Sequence, residues 1–328
     1  MTVQQDKRPV LVACALPDAA LAVLNDAFDV TVVTTPERPE PEQLVAMAQG
    51  KEILLLSVTL RLTRELIERL PDSIRGVATY SVGYEHVDMD ACRNRGLAVF
   101  NTPDVLTDAV AEVGLLLLLG AARRAREAAT LILDGQWTGW QPTQLNGVEL
   151  AGKSLGIFGM GRIGRSIAHR ARAFGMAIHY SNRRRLPPEL EAGARFHADP
   201  TSLLAASDAL MLACPASEET RHFLDTKRLA LMKPGAIVAN VSRGNVVVDD
   251  ALIAALQTGR IRAAGLDVFD GEPRFDKRYL ALPNVFMLPH IGSSTIETRV
   301  RMAESLRDGL LAWAGGATPS NRIDIKGW

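Results

Sequence analysis

Apolar residues in the first hundred positions fall in short continuous runs, at 10–16, 30–33, 53–57, 76–80 and 97–100. Runs of this length, uninterrupted rather than alternating, predict strands buried on both faces. Helical patterns lie between most of them, as at 41–48 and 64–70. Strands recurring about every twenty residues with helices between them predict βαβ units and a parallel sheet covered on both faces.

A longer helical pattern, 107–133, interrupts this rhythm. The segment GQWTGWQPTQLNG that follows carries Gly, Pro and Trp unlike either neighbour, and reads as a crossing or linker. The all-leucine run 115–119 has Asp108 and Glu112 before it and Arg123, Arg124 and Arg126 after it. It is too short to span a bilayer and predicts a buried helix. A second series begins at Lys153, with apolar runs at 154–158, 177–180, 209–213, 236–241, 263–269 and 285–288. The last segment, 293–313, reads as one helix opened by a Ser or Thr cap and followed by Gly315 and Gly316. The expected fold class is α/β with two doubly wound parallel-sheet domains, and the 328 residues are enough for two cores.

Composition narrows the function classes. Hydrophobic residues are 47% and charged residues 23%, the profile of an ordinary soluble globular protein. Lys+Arg and Asp+Glu are 37 each, and zero net charge argues against nucleic acid or an acidic membrane surface as the main partner. Cys14, Cys92 and Cys214 are odd in number, far apart and without CxxC spacing, which predicts neither a disulfide framework nor a zinc site and fits a reducing cytoplasm. The start carries Asp6, Lys7 and Arg8 with no apolar stretch and small-residue cleavage site after them, so no signal peptide is expected.

The first chemical signal is SLGIFGMGRIGRSIAHRARAFG, in which Gly159, Gly161 and Gly164 form GxGxxG between an apolar strand and a helix. In that context Gly159 permits the tight turn, Gly161 lets the backbone approach a pyrophosphate, and Gly164 lets helix and strand pack closely. The anion sits on free N–H groups at the positive end of the helix dipole. The next strand ends in Ser181-Asn182-Arg183-Arg184-Arg185, at the point where an NAD site places Asp or Glu to accept from the ribose 2′-hydroxyl. An acid there would repel a 2′-phosphate, whereas two or three guanidinium groups bind it through charge-assisted hydrogen bonds. This predicts NADP(H), with NAD(H) as the weaker alternative. Arginine runs are more often solvated turns, so placement carries the prediction rather than charge count.

Four further segments, YSVGYEHVD, NVSRGNVVVDD, GLDVFDGEP and MLPHIGSST, stand in order around the glycine fingerprint. With it, the chain resembles the D-isomer-specific 2-hydroxyacid dehydrogenase family over nearly its whole length, and within it the glyoxylate and hydroxypyruvate reductases. The resemblance implies a Rossmann dinucleotide domain, 103–290, inserted into a flavodoxin-like substrate domain formed by 1–102 and 291–328. It makes Arg243, Glu272 and His290 the catalytic set. For the cofactor it implies Gly159, Gly161, Arg162, Ile163, Gly164, Ser181, Asn182, Arg183, Arg184, Cys214, Pro215, Thr107, Asp267 and Gly292. For the substrate it implies Ser81, Val82, Gly83, Arg243 and His290, and for assembly a homodimer in which Trp137 and Trp140 are interface or packing aromatics.

Reducing a 2-oxo acid needs a hydride at the carbonyl carbon, a proton for the developing alkoxide and a cation for the carboxylate. His290 is the expected acid in reduction and base in oxidation, because imidazole exchanges a proton near neutral pH. Glu272 holds the other ring nitrogen and favours the protonated form. Arg243 offers a planar fork to carboxylate and carbonyl oxygen. Backbone N–H groups in the glycine-containing turn Ser81-Val82-Gly83 meet a carboxylate without a charged side chain. Duller roles stay open: a core or capping histidine at 290, as for His86, His169, His179, His197 and His222, a structural Arg243 and Glu272 pair, and an Asp267 that ends a strand. The expected reaction is NADPH-dependent reduction of glyoxylate to glycolate or hydroxypyruvate to D-glycerate. Another oxo-acid reductase of the 2-ketogluconate, hydroxyphenylpyruvate or phosphoglycerate type, or a nucleotide-sensing binding protein, remains the alternative.

Overall fold

The computed structural model describes residues 7–33 and 39–324, and the chain divides into two compact units, Met1–Leu106 with Ser293–Trp328, and Thr107–Gly292. The first unit runs β1 (Arg8–Val12), α1 (Asp18–Ala27), β2 (Phe28–Val32), α2 (Pro41–Met47), β3 (Ile53–Leu56), α3 (Arg64–Arg69), β4 (Gly76–Thr79), α4 (Met89–Asn94) and β5 (Ala98–Phe100). Its five strands are all parallel in the order β2-β1-β3-β4-β5. All residues of β3, β4 and β5 are buried, as the unbroken apolar runs require.

The second unit runs α5 (Thr107–Ala122), α6 (Ala125–Leu133), β6 (Ser154–Phe158), α7 (Arg162–Ala173), β7 (Ala177–Ser181), α8 (Pro188–Glu191), β8 (Arg195–Phe196), α9 (Pro200–Ala206), β9 (Ala209–Leu212), α10 (Thr226–Leu231), β10 (Ala236–Asn240), α11 (Asp249–Gln257), β11 (Ile261–Leu266) and β12 (Val285–Met287). Its strands, all parallel, pair in the order β12-β11-β10-β9-β6-β7-β8, and the order of succession across the sheet reverses between β6 and β9. In a doubly wound sheet that switch point is where a crevice opens beyond the strand ends. The chain then returns to the first unit as α12 (Ile296–Ala314), whose N-cap Thr295 accepts from Thr298 N and whose Trp313 ring packs on Phe100 at 5.5 Å.

The α/β fold class with two parallel sheets is therefore found. Three local expectations are corrected. The 107–133 helix is two helices, because Arg124 takes a left-handed φ of 56° and the Ala122 carbonyl accepts from Val148 N instead of continuing the helix. The 10–16 strand stops at Val12, and the 263–269 strand runs from Ile261 to Leu266, where Asp267 turns to donate its N–H to the Asn240 carbonyl. The two-residue edge strand β8 carries no pattern in the sequence. The leucine run lies in α5, which packs on β10 and β11, and no helix among the described residues is long and apolar enough to cross a membrane.

Candidate active site

In the second unit, β10, β11 and β12 are adjacent and parallel, so the loops that follow them emerge at one edge of the sheet. The first loop is folded by Asn240, fully buried at the end of β10. Its Oδ1 accepts from Ser242 N at 2.9 Å and Ser242 Oγ at 2.6 Å, and its Nδ2 donates to the Arg243 carbonyl at 2.9 Å. Arg243 Nη1 donates to the Ser242 carbonyl at 2.7 Å. Gly244 comes next because nothing larger fits: a Cβ there would stand 1.8 Å from the Phe269 carbonyl carbon. That contact seats the Arg243 loop directly on the loop after β11.

In this second loop, Glu272 Oε1 accepts from Phe269 N at 2.7 Å and Glu272 Oε2 lies 2.7 Å from His290 Nδ1. His290 has a left-handed backbone, φ 54°, a conformation uncommon for a side chain of its size. Asp267 holds it there. The Asp267 carbonyl accepts from His290 N at 2.8 Å, and its buried carboxylate accepts from Ile291 N at 2.7 Å and Gly292 N at 2.8 Å. Asp267 and Gly292 thus form the cradle that presents His290, a job the sequence did not disclose for either.

Charge follows this geometry. Partial burial pushes the Glu272 carboxyl up, but the hydrogen bond and charge of His290, the Phe269 N–H and the Arg243 charge outweigh it and hold Glu272 below the ordinary carboxylate value. Burial dominates at Asp267 and raises it, despite its two backbone donors. With Nδ1 on Glu272, the imidazole has Nε2 for exchange with a reactant, and its side chain is 34% exposed beside Glu272 at 32%.

Where the sheet direction switches, the glycine turn follows β6. Gly159 has φ 100°, and a Cβ on it would stand 2.5 Å from the Cys214 backbone, so the turn presses against the 214–215 segment that follows β9. Gly161 caps α7, with Arg162 and Ile163 opening the helix and Gly164 buried in its first turn. A Cβ on Gly161 would meet nothing within 4 Å, so the helix N-terminus faces open space. These residues fit a dinucleotide pyrophosphate. Ser181 accepts from Gly159 N through its carbonyl at 3.1 Å, and Asn182 Oδ1 accepts from Met160 N at 2.6 Å, so both brace the glycine turn itself. Arg183, Arg184 and Arg185 are all exposed, and Arg185 is turned onto Glu191. Of the two or three guanidinium groups read in the sequence, the third has another carboxylate. Thr107 opens α5, and burial pushes the Cys214 thiol up to about 12, a packed group rather than a nucleophile.

The remaining predicted residues belong to the first unit, in the turn after β4. Each of their carbonyls is engaged: Ser81 O accepts from Thr102 N at 2.9 Å, Val82 O from Asn101 Nδ2 at 2.8 Å, and Gly83 O from Ser81 Oγ at 2.6 Å. Their three N–H groups donate to nothing among the described residues. A turn with its carbonyls tied back and its N–H groups unused can hold an anion through dipoles alone. Thr79 Oγ1, fully buried, stiffens it by bonding Ser81 Oγ at 2.7 Å and His86 Nε2 at 2.9 Å. Asn101 and His86 stand eighteen and three residues beyond Gly83, and no signal in the sequence marks either as a partner of the turn.

The chain belongs to the D-isomer specific 2-hydroxyacid dehydrogenases: the model of that family's NAD binding domain matches residues 115–292. It is 40% identical over 323 residues to the glyoxylate reductase of Thermococcus litoralis, with 97% of each chain covered. It is 39% identical over 316 residues to the glycerate dehydrogenase of Hyphomicrobium methylovorum, covering 96% of this chain and 98% of the relative. An NADPH-dependent glyoxylate/hydroxypyruvate reductase from Sinorhizobium meliloti, solved in complex with NADP and malonate, superposes with a TM-score of 0.87 at 32% identity and 98% coverage of both chains. The resemblance carried by the five motifs is thus a family membership, and with it comes a dehydrogenase with a nicotinamide-dinucleotide domain.

Proposed function

We propose that this protein reduces a small 2-oxo acid with NADPH, glyoxylate to glycolate or hydroxypyruvate to D-glycerate, with His290 as the proton donor. One observation carries the reading: an imidazole held through Nδ1 by a depressed carboxylate at 2.7 Å, on the same sheet edge as the Arg243 loop. Bound nicotinamide supplies the hydride. His290 gives its Nε2 proton to the carbonyl oxygen as negative charge develops there, and takes it back in the oxidation direction. Glu272 keeps the ring oriented and stabilises its charged form, and Arg243 offers two parallel N–H donors to the carboxylate and carbonyl oxygen. The turn Ser81-Val82-Gly83 contributes N–H groups to the substrate carboxylate.

For the cofactor we assign Gly159, Gly161, Arg162, Ile163 and Gly164 to the pyrophosphate, Ser181, Asn182, Arg183 and Arg184 to the adenosine ribose and its 2′-phosphate, Asp267 to the nicotinamide side, and Thr107, Cys214, Pro215 and Gly292 to the cofactor without a further division. The name of the Sinorhizobium relative supports NADPH, and the names of the Thermococcus and Hyphomicrobium relatives support the two substrates. A homodimer goes with this reading, since Ile132, Leu133, Trp137 and Trp140 leave an apolar stretch exposed in the second unit, Trp140 at 79%. Light scattering that finds a stable active monomer would overturn the dimer.

The decisive experiment measures initial rates with glyoxylate, hydroxypyruvate, pyruvate and 2-ketogluconate, each with NADPH and NADH. The expected result is turnover of the first two with NADPH preferred. Preference for NADH overturns the Arg183 and Arg184 assignment and leaves the His290 chemistry standing. Preference for 2-ketogluconate moves the substrate, and no turnover with any pair sinks the proposal for these acids.

A further inference from the structure

Glu191 closes α8 and is buried, with nothing in its sequence neighbourhood to mark it. Its Oε1 accepts from the Tyr180 hydroxyl at 2.5 Å and from Arg185 Nε at 2.8 Å, and its Oε2 accepts from Arg185 Nη2 at 3.1 Å. The Tyr180 hydroxyl itself accepts from Leu186 N at 3.0 Å, and Tyr180 is fully buried in β7. Arg172 Nη2, on α7, donates to the Glu191 carbonyl at 3.1 Å. One carboxylate thereby joins the end of β7, the far end of the 181–186 turn, and α8. Between the two anchored ends stand Asn182, bonded to Met160 N, and the exposed Arg183 and Arg184.

A buried carboxylate is tolerated only with its partners in place, so Glu191, Tyr180 and Arg185 stand or fall together. The planar fork of Arg185 fixes direction as well as distance. Arg183 and Arg184 have long, flexible side chains, and ordering them on a ligand costs rotamer entropy. A turn whose backbone is already fixed removes part of the ordering from that cost.

We propose that Tyr180, Arg185 and Glu191 form a clasp that presets the 181–186 turn for a ribose 2′-phosphate, with Arg185 a strut and not a phosphate ligand. The clasp residues are positioning residues for cofactor choice, and this inference rests on the NADPH reading above. The low carboxyl of Glu191, held down by the Arg185 and Tyr180 hydrogen bonds, keeps the clasp charged at neutral pH.

The test is calorimetric titration of adenosine 2′,5′-bisphosphate and adenosine 5′-monophosphate into the full chain, which reads the 2′-phosphate without turnover. Glu191→Ala and Arg185→Ala are each expected to weaken the bisphosphate by about tenfold and the monophosphate by less than about twofold, and the double variant is expected to be no worse than either single one. Tyr180→Phe, which removes one hydroxyl and keeps the packing, is expected to act in the same direction with a smaller effect. Equal weakening of both probes shows a merely structural pair and overturns the proposal, as does an undiminished bisphosphate affinity. Additive losses in the double variant show that Arg185 touches the phosphate itself, which also overturns it. An Arg183→Ala/Arg184→Ala chain separates the layers: if it binds both probes as the parent does, the NADPH reading fails, whereas if it loses the bisphosphate and the clasp variants do not, the clasp alone fails.

Discussion

The turn after β4 and the loops after β10, β11 and β12 differ in what they present. At Ser81, Val82 and Gly83 the side chains of Ser81 and Asn101 turn back onto carbonyls, and what is presented is bare N–H. Around His290 the Asn240 amide and the Asp267 carboxylate hold the backbone, Gly244 lets the loops meet, and what is presented is ionisable side chains. The first arrangement supplies dipoles with no proton to lose. The second supplies an imidazole with a proton to give and a guanidinium beside it. Dipoles suit a carboxylate that never changes charge, while the oxygen that gains a proton needs a partner able to give one.

Removing a side chain therefore does more damage in the second region than in the first. His290→Ala gives the largest effect: kcat for reduction falls by ~10²–10⁴ while the NADPH dissociation constant stays within about twofold, read by stopped-flow and fluorescence titration. A variant with near-normal turnover ends the acid-base role. Glu272→Gln keeps the shape and removes the charge, and lowers kcat by about tenfold. It also changes the acid limb of stability. The folded chain binds the Glu272 proton more weakly than the unfolded chain does, so this contribution is full above the ordinary carboxylate value and is lost as pH falls through the depressed one. Urea titrations from neutral to acid pH should show the parent losing that increment and Glu272→Gln lacking it, and parallel curves would contradict the pairing.

Asn101→Ala sharpens the contrast from the other side, because it frees the Val82 carbonyl without touching a charge. KM for the oxo acid rises several-fold, with kcat and the NADPH KM unchanged, since the cradle loosens and the proton donor does not. An unchanged KM would show that the turn needs no tether. The smallest effect belongs to Thr79→Val, which deletes a buried hydroxyl and costs about 1–2 kcal/mol of unfolding free energy with little change in rate.

The same contrast separates what the chain discloses in its letters from what it withholds. Buried parallel strands appear as unbroken runs such as Ile53–Leu56, and a strand, a glycine turn and a helix in succession announce α7. Arg243, Glu272 and His290 stand in motifs visible in the sequence, and the chemistry proposed for them calls for those residue types. Asn101, His86 and Glu191 are ordinary letters whose meaning lies in a partner brought near by folding. Arg185 shows the limit most plainly: beside Arg183 and Arg184 it reads as a third cation for the ligand, and only the position of Glu191 in space reassigns it. The break at Arg124 is of the same kind, since the helical pattern continues and the cause is Val148, some two dozen residues away, taking a carbonyl.

Gly244 has a consequence for how this enzyme can change. Because its α-carbon rests against the Phe269 peptide with no room for a methyl group, the loop that carries Arg243 just before it is seated on the loop that carries Glu272. Random mutagenesis for new substrates will find position 244 closed, because any side chain there separates the two loops.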